Sequence, residues 1–250
     1  MDKVIEKIRT LSKDIDLEQR FTDNFNTNVS IFDSLNLEKI DNAITIFEKN
    51  IELKNELEYQ YQYQYQSKGD SSELDFWIIN HWGGIHGFKN TENNIDKTKK
   101  FKQQLNVGKL TKDSFSTISS LSKIASFMYP EEFFIYDSRV IYALNWLILT
   151  CENRDELCYS YFPIPTSRNK ILVNFDIQTI LNIYHSGQYT DFSAMYYDQQ
   201  IAYFTYCNFI KKAAQSIYGE SEKPYLIEML LFVLADKEIF SEIKKVKLVF

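Results

Sequence analysis

At 250 residues, with 44% hydrophobic and 25% charged side chains, the chain has the composition of a globular protein and the length of one large domain or two small ones. It contains no apolar run of about eighteen residues, and its first twenty residues are charged and amphipathic, so neither a membrane span nor a signal peptide is expected. Net charge is −6, which taken alone argues against a nucleic-acid partner.

Seven glycines and four prolines are few for this length and favour long helices over many tight turns. Val4, Ile5, Ile8 and Leu11 recur at helical spacing and mark a first amphipathic helix. A second helix is expected from about Leu37 to Tyr65, with Ile40, Ala43, Ile46, Phe47, Leu53 and Leu57 on one face. It runs into the alternating Tyr-Gln tract of residues 59–66, which also suits a strand; the helix is preferred. Ser67 to Asp75 reads as a linker, so a helical N-terminal region (1–66) precedes a second region (67–250), the two forming one compact unit or two. The first 75 residues hold sixteen acidic and nine basic side chains, a balance of −7 that suits a protein partner.

Trp77 to Phe88 follows, with two tryptophans and three glycines. His81 and His86 lie five apart across two of those glycines, a spacing that does not stack them on one helix face, so no metal is expected. Residues 97–123 carry seven lysines and only Asp113, a balance of +6. Such a block beside an acidic region is the footprint of a polyanion-binding face, or else a solvated lysine-rich loop. Further helices are expected at about 113–128, 138–152, 176–185, 192–218 and 224–235, with a proline-stiffened loop at 161–169. Little in the chain reads as strand, and the fold class is mainly α. Cys151, Cys158 and Cys207 are odd in number and form no CxxC pair, which points to reduced thiols and a cytoplasmic protein.

Two residues carry the chemistry. Ser122 is placed to cap a helix opening at Lys123, where the positive end of the helix dipole favours the neutral, nucleophilic amine. Asp137 stands just before a strongly apolar helix and suits a helix cap as well as a charge-stabilising carboxylate. Arg139 is a phosphate ligand, a partner for Asp137 or an ordinary surface residue.

The ordered set Leu121-Ser122-Lys123-Ile124-Ala125, a turn at Pro130, and Phe134-Ile135-Tyr136-Asp137-Ser138-Arg139-Val140 resembles the helix-hairpin-helix DNA glycosylase superfamily, most of all its 8-oxoguanine DNA glycosylase-like branch. The resemblance covers about residues 114–148 and extends loosely to Arg168 and Asn169 and to the helix containing residues 225–232. It implies a multi-helix glycosylase-like domain with an additional N-terminal helical region, and it matches Lys123 to the Schiff-base lysine and Asp137 to its aspartate. The implied enzyme is a DNA N-glycosylase and AP lyase of base-excision repair; a hairpin without glycine and an N-terminal half unlike the family's point further to a specialised substrate, a modified base in foreign DNA, and so to defence. It needs no cofactor, and its partner is duplex or single-stranded DNA. Ser119, Ser120 and Ser122 stand where the family's hairpin meets a DNA phosphate. Arg139, Arg168 and Asn169 are further DNA contacts, and Trp82, Phe88 or Tyr161 would stack on a flipped base, although aromatics in so aromatic a chain serve more often as core. The rival readings are a nucleic-acid- or protein-binding module that keeps the fold without the chemistry, and a helical scaffold.

Overall fold

The structure, a computed structural model, describes residues 1–24, 46–69, 71–151, 160–167, 169–187, 191–219 and 224–246. Its helices in chain order are α1 (Asp2–Asp14), α2 (Leu17–Asn24), α3 (Ile46–Lys68), α4 (Ser72–Trp77), α5 (Glu92–Val107), α6 (Lys112–Ser116), α7 (Ile118–Met128), α8 (Ser138–Cys151), α9 (Lys170–Asn174), α10 (Ile177–Tyr184), α11 (Gln199–Tyr218), α12 (Tyr225–Leu234) and α13 (Phe240–Ile243). A π-helical turn at Ile78–Trp82 extends α4, and a second at Ala235–Ile239 joins α12 to α13. The described residues contain no strand, only a parallel bridge between Tyr161 and Tyr196. No helix among them is long and apolar enough to cross a membrane.

The centre of the molecule is α8. Every residue from Val140 to Leu149 is buried, so the helix is covered on all sides and must be surrounded. α12 packs along it, α1 and α10 flank it, and α11 covers α12. Leu53, Leu57 and Tyr61 of α3 and Val4, Ile5 and Ile8 of α1 belong to the same apolar cluster as α7, α8 and α12. A boundary at 66/67 therefore falls inside α3, whose residues on the N-terminal side share the main core.

The Tyr-Gln tract is helical, as expected: Tyr61 is buried while Tyr59 and Tyr63 point to solvent. The expected residues Leu37 to Ala43 lie outside the described ones. The linker reading of Ser67–Asp75 is corrected. α4 begins at Ser72, and Asp75 is buried and paired with Lys102 at 2.6 Å, with Ser71 and Tyr61 completing the network. The lysine-rich stretch is not a loop either. Thr91 caps α5 by accepting from Asn94 N, and Gly108, in a left-handed conformation at φ 72°, ends it. The 192–218 helix is shortened because Asp198 caps a helix starting at Gln199, leaving a separate 3₁₀ turn at Phe192–Met195. Burial raises the Cys207 thiol to about 12, which keeps it protonated and unreactive, and Cys151 is a second free thiol. Cys158 lies outside the described residues.

Candidate active site

α7 and α8 are joined by a turn at residues 129–132 and an extended segment, 133–137, that brings Asp137 back beside α7. Three helices hold this segment by its backbone. Ile135 N–H donates to Glu228 Oε2 of α12 at 2.7 Å, and Tyr206 OH of α11 donates to Ile135 O at 2.8 Å. Tyr136 N–H donates to Ser122 Oγ of α7 at 3.0 Å. An extended stretch with no neighbouring strand must satisfy its polar backbone through side chains, and these side chains do so.

The result is a lysine–aspartate pair. Lys123 Nζ lies 3.9 Å from Asp137 Oδ2, with the two side chains 8% and 19% exposed. That separation is an ion pair but longer than a hydrogen bond; the ammonium donates instead to Ser119 O at 3.1 Å. Asp137 is also the cap of α8: its Oδ1 accepts from Arg139 N at 2.9 Å, and its carbonyl accepts from Ile141 N.

Gly83, just past the π-helical turn, forms a wall of the site. A Cβ there would lie 2.5 Å from Lys123 Cδ, 2.7 Å from Cε and 2.8 Å from Ile79 O, so only glycine lets the chain run over the lysine stem. Asn80 fixes that loop, donating to Phe76 O and Phe88 O. A glycine of the Trp77–Phe88 stretch thus serves the lysine directly.

Several expectations change. Lys123 does not open a helix: α7 starts at Ile118 after a break at Thr117, so Lys123 is mid-helix and the dipole argument lapses. Ser122 is not a cap; it is fully buried and spends its hydroxyl on Tyr136 N. Ser120 is buried as well, so neither serine offers a hydroxyl to a DNA phosphate in this arrangement. Ser119 is half-buried, its hydroxyl donating to Tyr136 O at 3.3 Å. Phe88 and Tyr161 are core residues rather than exposed stackers: Phe88 stacks on Phe76, and Tyr161 OH bonds His185 Nε2 at 2.9 Å. Trp82 is half-buried, meeting the Phe127 ring edge-on near the site.

Arg139 and Asn169 do come together, but on a residue that sequence reasoning missed. Asp236 accepts from Arg139 Nε at 2.8 Å and from Asn169 Nδ2 at 3.0 Å. Arg168 lies outside the described residues. Beside this network, Ser138, Tyr142, Pro165, Ser167, Leu172 and Asp176 line part of a cleft of about 370 Å³, one residue along from Asp137 and not reaching Lys123.

The other missed residue is Glu228. Burial pushes its carboxyl up to about 7, against the Ile135 N–H bond and the nearby Lys54 and Lys123, with Asp137 adding to the rise. Its signal was available: it is the lone charge in the apolar run Tyr225–Leu234. Lys54, also buried, pairs with Glu58 at 2.8 Å and lies over the rings of Phe127 and Tyr225.

No protein-family model, no curated protein and no solved structure matches the chain.

Proposed function

We propose that the chain is a DNA glycosylase with associated lyase activity, excising a damaged or modified base through Lys123. The observation that supports this most is the nearly buried lysine amine of one helix 3.9 Å from the carboxylate that caps the next, against a wall that only glycine permits. In such a site the target nucleotide leaves the stack, because its glycosidic bond is out of reach inside the duplex. The Lys123 ammonium first gives up a proton to solvent; the free amine then attacks C1′, the C1′–N bond breaks, and the base departs with the bonding pair and takes up a proton. Asp137 stabilises the positive charge that develops on the sugar. Opening of the sugar ring, with O4′ taking a proton, leaves an imine between C1′ and Nζ. Loss of a C2′ proton and departure of the 3′ phosphate then cleave the strand, and water releases the lysine.

The burial of Ser120 and Ser122 and the depth of Lys123 favour a second reading, a nucleic-acid- or protein-binding module that keeps this architecture without turnover. Base release separates the two. Duplexes carrying 8-oxoguanine, alkylated bases or bulky modified pyrimidines are incubated with wild type and Lys123→Gln. Release of at least one base by wild type alone supports the enzyme, whereas DNA binding without release by either protein supports the module.

A further inference from the structure

We infer that Glu228 is a positioning residue: its ionised carboxylate holds the 133–137 segment, and with it Asp137, in register against Lys123, so that the pair is set by the protonation of a buried group outside it. This rests on Lys123 and Asp137 being the working pair of the proposed function.

The geometry carries the inference. Glu228 is 8% exposed on a helix whose other buried residues are apolar or aromatic, where a carboxylate is costly unless something uses it. What uses it is Ile135 N–H, at 2.7 Å, two residues before Asp137. The opposite side of the same residue is held by Tyr206, and the next N–H by Ser122. Of these three clamps only Glu228 can change charge near neutrality; the Tyr206 hydroxyl is held well above its usual range by burial, and serine does not titrate. An ionised carboxylate makes a stronger acceptor than a protonated one, so taking up a proton loosens one clamp of the three.

The groups facing Glu228 account for the rest of its field. Lys54 from α3 and Lys123 from α7 favour its ionised form, Asp137 opposes it, and Tyr203, Tyr206 and Cys207 of α11 couple to it. Of the charged side chains on α2, α8 and the second π-helical turn, Arg20 pairs with Glu238 and Arg139 with Asp236, while Glu18 and Lys237 are exposed, as are Lys211 and Lys212 of α11. Glu228 touches no reacting atom, and its effect reaches the pair through Ile135.

The experiment uses the full chain without DNA, labelled with ¹⁵N-isoleucine, following the Ile135 amide resonance between about pH 5 and pH 9. Wild type is expected to show one inflection near neutrality, Glu228→Gln to lose it, and Glu228→Asp to keep an inflection at a displaced midpoint. An Ile135 amide that is flat in wild type, or that titrates unchanged in Glu228→Gln, overturns the inference. A second arm records the pH profile of Lys123 imine trapping by a small aldehyde with borohydride. Loss of the neutral inflection in the folded Gln variant agrees with positioning, and an identical profile in both proteins contradicts it. Neither arm contains a nucleic acid, so a failure of base excision leaves these outcomes readable, and their failure leaves base excision untouched.

Discussion

Asp137 combines two roles in one carboxylate, capping α8 through Oδ1 and facing Lys123 with Oδ2. Asparagine caps helices as well as aspartate does, so Asp137→Asn separates the roles. The variant is expected to lose less than about 1 kcal/mol of stability by denaturant titration while its activity falls roughly 10²- to 10⁴-fold. Comparable activity in a folded Asn variant would remove the carboxylate from the chemistry. Glu228 makes a separate residue-scale prediction about stability. Its carboxyl stands near 7 in the fold against an ordinary value of 4.5, so between those limits the folded chain keeps a proton that the unfolded chain has released. The stability it contributes is therefore fully present below about 4.5, declines as pH rises toward 7 and is level above. Glu228→Gln lacks that slope, and its melting temperature relative to wild type is expected to rise between about pH 5 and pH 8. A difference independent of pH would contradict the assignment. The ionised form thus costs stability at neutral pH, which is reasonable where the charge is spent on holding a site.

At the scale of elements, the site depends on how the π-helical turn after α4 lies on α7. Gly83→Ala places a methyl against both the Lys123 stem and the Ile79 carbonyl. A buried lysine stem and a backbone oxygen yield little, so a loss of about 1–3 kcal/mol is expected in thermal or denaturant unfolding, together with displacement of the amine and loss of imine formation. A variant with wild-type stability and reactivity would show that the glycine is incidental. The approach of Gly83 to Lys123 was not legible beforehand, because periodicity reports which face of a helix is apolar and says nothing of which loop lies over a given residue. The helical class and the apolar character of α8 were legible from local patterning, whereas Lys123 and Asp137 were singled out together through the family resemblance, and the fold does bring them together. The placement of Lys123 within α7 was misjudged because Ser122 is a good cap by type, yet its hydroxyl has a tertiary partner in Tyr136. Similarly, the lysines of α5 obscured a helix whose Thr91 and Gly108 ends were visible in the sequence. Asp236 and Glu228 come from distant segments, and only the folded chain joins them to the site.

Over the whole molecule, the lysine-rich region divides by use. Lys97, Lys102 and Lys123 are held by Asp113, Asp75 and Asp137, whereas Lys99, Lys100, Lys109 and Lys112 are exposed on or near α5 and α6. If DNA is the partner, those four supply counterion release. Replacing all four with glutamine is expected to flatten the dependence of log affinity on log salt by up to ~0.9 for each phosphate left without a cation. An unchanged slope would move the DNA-binding face elsewhere. Whether Lys123 forms an imine with a sugar is read by borohydride reduction of the protein mixed with DNA containing an abasic site. Wild type is predicted to yield a covalent protein–DNA adduct mapping to Lys123, and folded Lys123→Gln to yield none. Absence of an adduct from wild type, or an equal adduct from the variant, would remove Lys123 as the nucleophile.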